Sequence, residues 1–344
     1  MQVITDFPLK GLNTFGFDVR SAFYTELSDI ALLPRLMEIV PQYEQGFYIL
    51  GGGSNVLFAE DFPGLLVGVN CKGRYVLDQS QEHVWVKAMA GEDWDAFVDW
   101  CVENNWGGLE NLTMIPGRVG TSPMQNIGAY GVEIKDCFHQ LEAWDLSKGK
   151  MVVFGPEECR FGYRDSIFKQ EGKGKYIIVS VTFRLTLKDH KLTLDYGPVK
   201  QELEHLRFPG LRDVVNVIRA IRSEKLPDPL HTGNAGSFFK NPVIAPEHFL
   251  TLQQQYPGMP HFDLGQAGVK VPAGWLIEQC GWKGKRYANA GVHHKQALVL
   301  VNLGNATGGE VLKLAEAIQQ SVNDKFGISL EREVNLVTPL TLMG

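Results

Sequence analysis

Several stretches of this chain hold side chains or bare backbone that could do chemistry, and most of that chemistry concerns anions. Gly51-Gly52-Gly53-Ser54-Asn55 stands between the apolar run Phe47–Leu50 and Val56-Leu57-Phe58. A strand, a glycine triplet and Ser-Asn turn successive backbone N–H groups into a nest for phosphate oxygens. It is not a Walker loop, because no Gly-Lys-Ser/Thr follows. The dinucleotide pattern G-x-G-x-x-G fails at Val56, and a strand rather than a helix is expected beyond it. A glycine-rich turn between strands is the competing reading. Glu158 to Ser166 sets Arg160 and Arg164 around Tyr163. A guanidinium matches a carboxylate or phosphate by two parallel hydrogen bonds, although a solvated charged turn has the same composition. Gly233 to Pro242 surrounds Ser237 with small residues that leave it open to a ligand. Phe238 and Phe239 there supply a dry wall, and Lys240 and Asn241 supply donors. Finally, Glu333 is a candidate acid or base if its face of the last strand looks into a cleft.

The longest informative stretch is Ile115 to Gly131, with four glycines, two prolines and a single charge, Arg118, in seventeen residues. No helical or strand period survives that composition. Ile115, Val119, Met124, Ile127 and Tyr130 are nevertheless apolar or aromatic, so the stretch must be buried against something. An unpaired buried backbone group costs about 1–3 kcal/mol, so its spare N–H and C=O groups need partners. Glycines let main chain approach a ligand closely, and Thr121, Ser122, Gln125 and Asn126 add short polar arms. The pattern suits a long, flat cofactor lying along this backbone; the alternative is an ordered loop packed on its own domain.

These segments need a frame. At 344 residues the chain is too long for one ordinary core, so two or three domains are expected. A content of 44% hydrophobic and 21% charged residues is globular. The net charge of −6 argues against a nucleic-acid or anionic-membrane surface. The first ten residues do not read as an export signal, and no apolar run reaches the roughly 18–20 residues that span a bilayer. Five scattered cysteines without a C-x-x-C suit reduced thiols in a cytosol and give no zinc site. His293-His294 is a poor metal pair, because adjacent residues in regular structure point apart. Strands are expected at Phe47–Leu50, Leu65–Val69, Val84–Ala90, Gln140–Leu146, Met151–Phe154 and Tyr176–Leu185. A helix is expected where Trp94, Phe97, Val98 and Cys101 recur, ending near Asn104-Asn105. From Leu211 the period changes to helical, with Val214, Val217, Ile218 and Ile221 on one face and Arg222 and Lys225 in the last turn. Thr307 to Glu310 is a capping box that opens a final helix, stopped by Gly327. The last strand, Ile328–Val337, alternates in sidedness: Leu330, Arg332, Val334 and Leu336 on one face, Glu331, Glu333 and Asn335 on the other.

Taken together, these motifs resemble those of the UDP-N-acetylenolpyruvoylglucosamine reductases, flavoenzymes of bacterial cell-wall precursor synthesis. The resemblance runs through Asn13-Thr14-Phe15-Gly16, Gly51–Phe58, Ile115-Pro116-Gly117, Gln125–Gly131, Cys159–Lys169, Gly233–Pro242, Gln296–Leu300 and Leu330-Glu331-x-Glu333-Val334. No one motif is decisive; their order and spacing are specific. Asp195-Tyr196-Gly197 points to the longer subtype with a tyrosine loop.

The resemblance implies an α+β protein: an FAD-binding domain of the vanillyl-alcohol-oxidase/PCMH type in two α/β subdomains, plus a smaller α+β substrate-binding domain. The implied bounds are 1–70 with a returning C-terminal strand at 329–344, then 71–225, then 226–328. FAD would be held by Gly51, Gly52, Gly53, Ser54 and Asn55 at its pyrophosphate. Ile115, Pro116, Gly117, Gly120, Thr121, Ser122, Gln125, Asn126, Gly128, Tyr130 and Arg222 would line the rest. NADPH would reduce the flavin, and the enolpyruvyl double bond of UDP-N-acetylglucosamine enolpyruvate would be reduced in turn. Arg164, assisted by Glu333, would stabilise an enolate-like charge, and Ser237 would protonate the carbon, with Lys240 and Asn241 available to support its alkoxide. Tyr163, Tyr196, Lys225, Asn241 and Gln296 match substrate-side positions. A cytoplasmic monomer without metal, nucleic acid or membrane is the implied setting. Two positions depart from the family: Asn335 where a basic residue is expected, and Arg118 where a small or uncharged one is. The alternatives are another flavin oxidoreductase of this fold and a nucleotide-binding module without chemistry. No His or Cys lies inside Gly51–Asn55 or Ile115–Gly131. Bound flavin should therefore leave the protein on acid precipitation; a pellet that stays yellow would show a covalent tether.

Overall fold

The computed structural model describes residues 1–340; the final four residues of the expected C-terminal return, 341–344, lie outside the described residues. Three sheets carry the architecture. The first has the spatial order Ile4–Pro8, Arg20–Leu27, Phe62–Val69, Phe47–Leu50. Phe62–Val69 pairs in parallel with both of its neighbours. Its Leu65, Leu66 and Val67 are completely buried, as a near-continuous apolar strand must be when both faces of a parallel sheet are covered.

The second sheet is antiparallel throughout, in the order Lys150–Phe154, Phe138–Asp145, Tyr176–Thr186, His83–Met89, Arg74–Gln79. The helix Trp94–Glu103 packs on it. The Asp93 side chain accepts from the Ala96 N–H as N-cap, and Trp94, Phe97, Val98 and Cys101 face inward. Trp94 meets Phe183 of the central strand at 5.9 Å between ring centroids. The helix Leu211–Lys225 turns Val214, Val215, Ile218 and Ile221 inward, so Val215 takes the place expected for the half-buried Val217.

The third sheet runs Asn234–Ser237, Val299–Asn302, Ala290–Val292, Arg286–Tyr287. The helix Gly308–Phe326 covers it with Val311, Leu314, Ala315, Ile318 and Val322. Thr307 and Glu310 close the capping box from both sides, and Gly327 ends the helix at φ 64°. This third sheet does not have a core of its own. Phe15, Phe17 and Phe58 of the first unit lie in one apolar cluster with Phe238, Phe239, Leu300 and Ile318 of the third.

The last strand departs from expectation. Within Ile328–Val337 only Asn335–Leu336 is a strand, paired in parallel with Val56–Leu57. The segment changes partner midway. Glu331 and Glu333 bond to Lys240 and Phe238 of the third unit, then Asn335 and Val337 bond to Asn55 and Leu57 of the first. Neither partner yields a long ladder. Arg332 is exposed while Leu330 and Val334 are buried, so the expected common face is broken there.

The seam between first and third units is tight at Gly233. Asn234 N–H donates to Thr14 O at 3.0 Å, and Asn302 Nδ2 to Phe15 O at 2.9 Å. A Cβ on Gly233 would stand 2.0 Å from the Phe15 carbonyl oxygen. Gly233→Ala should therefore destabilise the protein by about 1–3 kcal/mol, as overpacking does; an unchanged urea midpoint would show that the seam yields freely.

Candidate active site

Two loops from different sheets meet at closely packed main chain. A Cβ on Gly52 would lie 2.9 Å from Gly117 Cα, and one on Gly51 would lie 2.2 Å from Thr121 Cγ2. Ser54 Oγ donates to Pro116 O at 2.9 Å. Gly53 and Gly117 have φ of 66° and 134°, backbone that L side chains rarely adopt. The Gly51–Asn55 loop and the Ile115–Gly131 stretch thus share one groove. The stretch is not wholly irregular, since Val119–Gln125 forms a 3-10 run that ends at Asn126, φ 45°.

Its main chain is tied to the second unit by Trp94 N–H to Gly117 O, Val119 N–H to Glu92 O and Gly120 N–H to Ala90 O. The Arg118 guanidinium bonds to Val69 O, at the end of a strand of the first sheet, and so buttons the two units together. Asn335 has an equally definite role: its N–H and Nδ2 both reach Asn55 O at 3.1 Å. Not every polar arm of the stretch faces the groove. Ser122 Oγ donates to Val119 O, and Thr121 Oγ1 to Arg118 O. Asn126, fully buried, donates to Glu133 and to Gly162 O and accepts from Lys135 N–H. Thr121 and Ser122 thus serve carbonyls at the start of the 3-10 run, and Asn126 ties its end to neighbouring loops.

A charged network closes one end of the groove. Arg164 Nε lies 3.1 Å from Glu333 Oε1, and its Nη2 donates to Gly128 O at 2.6 Å. Gln125 Nε2 reaches Glu333 Oε1 at 3.3 Å, and Asn55 Nδ2 reaches Gln125 Oε1 at 2.8 Å. Arg164 itself sits at φ 52°, a left-handed conformation that a non-glycine residue holds only when its surroundings demand it. Burial pushes the Glu333 carboxyl up, against the pull of Arg164, Lys169 and Lys240. Burial and the neighbouring Lys240 hold Lys169 below the usual lysine range. Sequence reasoning gave Lys169 no role, although a lysine directly after Ile167-Phe168, inside a run already singled out, was the available signal.

Ser237 lies at the end of Asn234–Ser237, beyond an irregularity in its pairing with Val299–Asn302. Gly236, at φ 70°, sits in that irregularity, and such bulges re-aim a side chain. Ser237 is exposed, and its neighbour Phe238 accepts from Glu333 N–H at 2.8 Å. The expected donors do not support its hydroxyl, however. Lys240 pairs with Glu331, and Asn241 Oδ1 accepts from Ala273 N–H at 2.9 Å at the start of the next helix. Tyr163 lies beside Asn241 and beneath Lys270 Nζ, 4.9 Å from its ring centroid. Lys270 is a second cation that sequence reasoning missed.

A further cluster lies two residues along the stretch from Gly128. Tyr130, φ 50°, sets its hydroxyl against Arg222 and its ring edge-on to Tyr196 at 5.2 Å. Burial holds the Arg222 guanidinium below its usual range while Tyr130 pulls the other way. Its Nε is buried with no hydrogen-bond partner. Lys225 is exposed at the end of the same helix, and Lys295 Nζ donates to Glu224 O at 2.9 Å, which draws the turn carrying Gln296 toward it. Two glycine-bearing loops brought together and an orphaned buried guanidinium N–H both fit an anionic dinucleotide.

An α+β frame with this glycine groove is that of an FAD-binding protein, and residues 22–155 match the family described as FAD binding domain. Residues 228–337 match the C-terminal domain of UDP-N-acetylenolpyruvoylglucosamine reductase. The chain is 44% identical over 339 residues to the reductase of that name from Flavobacterium johnsoniae, covering 98% of this chain and 100% of the relative. It is 47% identical over 330 residues to that of Pseudomonas aeruginosa, covering 95% and 97%. The crystal structure of the Thermus caldophilus enzyme shares the fold, with a TM-score of 0.67 over 97% of this chain and 98% of that one at 23% identity. The chain belongs to the UDP-N-acetylenolpyruvoylglucosamine reductase family.

Among the described residues no carboxylate forms an ion pair with Arg222, and its buried Nε lacks a partner, so the guanidinium is open to an anion. Arg222→Met should raise the FAD dissociation constant at least about tenfold, which is about 1.4 kcal/mol. The flavin-free protein should melt no lower than the unmutated one; a Tm several degrees lower would mark Arg222 as structural.

Proposed function

We propose that this chain reduces the enolpyruvyl double bond of UDP-N-acetylglucosamine enolpyruvate, giving UDP-N-acetylmuramate for peptidoglycan synthesis. The observation that carries the reading is the half-buried Arg164–Glu333–Gln125–Asn55 network beside an exposed, re-aimed serine. Gly51 to Asn55, Ile115, Pro116, Gly117, Gly120, Gln125, Gly128, Tyr130 and Arg222 would hold FAD without a covalent bond. Bound FAD supplies hydride transfer, from NADPH to the substrate double bond.

The protein's share is charge and proton. Negative charge grows on the carbon next to the substrate carboxylate, and fixed cations stabilise it best where water is excluded. Arg164 supplies that cation. Glu333 and Gly128 O hold two sides of its guanidinium, so its direction is set before substrate arrives. Ser237 Oγ–H then gives its proton to the same carbon. A serine hydroxyl is a poor acid, so its developing alkoxide must be met by positive charge. Because Ser237 is exposed, the alkoxide regains a proton from solvent. Tyr163, Tyr196, Lys225, Asn241 and Gln296 serve the substrate side, with Lys225 suited to a phosphate.

The division into 1–70 with 329–344, 71–225 and 226–328 is supported by each main segment having its own sheet. No helix of the described residues is long and apolar enough to cross a membrane. A monomer working in the cytoplasm, with a part in cell shape and division, accords with a precursor-synthesis role.

In Ser237→Ala, NADPH should still bleach the flavin at the unmutated rate, while turnover of the enolpyruvyl sugar falls by orders of magnitude. Retained turnover would remove Ser237 as the acid.

A further inference from the structure

The segment that carries Tyr196 has no helix or strand between Thr186 and Gly197, so its place depends on local ties. One tie comes from a residue without an assigned role. Asn111 lies in the 3-10 turn Glu110–Leu112 and is 1% exposed. Its Nδ2 donates to Tyr130 O at 3.0 Å and to Thr193 O at 2.9 Å. Two carbonyls can be met only by the NH2 end of an amide, so the partners fix the side chain's orientation. Its Oδ1 is buried with no partner. An apolar side chain would fill the same space without that unpaired acceptor, so both donors are what the position requires.

The two bonds end at informative places. Tyr130 and Gly131 have φ of 50° and 85°, and a Cβ on Gly131 would stand 3.1 Å from Thr193 Cγ2. The segment therefore lies directly on the Tyr130 bend. From that bend the Tyr130 ring meets Tyr196 edge-on at 5.2 Å, and its hydroxyl lies against Arg222.

We propose that Asn111 is a positioning residue that pins residues 187–196 to the Tyr130 bend and so holds Tyr196 where the UDP-sugar binds. The inference rests on the assignment of Tyr196 to the substrate side. Asn111→Asp keeps the size of the side chain and replaces both donors with an oxygen facing two carbonyls.

In the flavin-loaded variant, KM for the enolpyruvyl sugar should rise at least tenfold, while the rate constant for flavin reduction by NADPH stays within twofold. Backbone amides of residues 190–196 should exchange with deuterium at least tenfold faster, with those of Gly308–Phe326 unchanged. Unchanged exchange in the segment overturns the pin, and so does an unchanged KM when exchange has risen. Should Asn111→Asp not accumulate in folded form, Asn111→Ser, whose hydroxyl can serve only one carbonyl, gives the same readouts. Tyr196→Phe separates this inference from the reading beneath it. If KM rises in Tyr196→Phe but not in Asn111→Asp, Asn111 alone fails. If Tyr196→Phe leaves KM unchanged, the substrate assignment of Tyr196 fails and the exchange data alone decide the pin.

Discussion

Everything at the site depends on two stretches of main chain approaching closer than any side chain allows. Gly52 and Gly117 meet backbone to backbone, and Gly51 lies under Thr121. The two stretches belong to different sheets, so the approach is also the contact by which two units are held in register. Glycine there costs conformational entropy on folding, a cost that packing elsewhere must offset. The offset is visible around it: Trp94, Val119 and Gly120 fix one lip through backbone hydrogen bonds, Arg118 ties that lip to Val69, and Asn335 fixes the other from outside.

The second constraint is electrostatic. The Glu333 side chain is only 13% exposed, and a carboxylate so shielded and alone would tend to take up a proton rather than stay charged. Arg164, Lys169 and Lys240 offset that tendency. The same arrangement makes Arg164 a fixed charge rather than a mobile one, because Glu333 and the Gly128 carbonyl each hold part of its guanidinium. A cation so held does not need to reorganise when charge appears on a substrate.

Much of this was legible in the residues alone. The Thr307–Glu310 box and the Trp94 to Cys101 spacing are local signals, decided within one turn of helix, and they hold in the fold. The glycine groove was legible because glycine has few other reasons to cluster beside short polar side chains. Other features depend on partners far away in sequence. Asn126 and Ser122 have types that suit a ligand equally well, and only the fold shows them bonded to Glu133, Gly162 and Val119. The alternation at Ile328–Val337 suggested one strand, but alternation says nothing about a change of partner midway. Arg118 looked unexplained because its acceptor, Val69 O, lies on another sheet. Asn111 carried no signal at all, since one asparagine in a short turn is ordinary.

The contact between Asn335 and Asn55 bridges 280 positions of chain. The loop that would cradle the pyrophosphate thus has one of its carbonyls held by a residue made long after it. A nascent chain therefore has the lips of the groove without the clasp. The cradle is complete only once the segment around Asn335 has folded back onto Asn55, and a change there acts on the groove from behind.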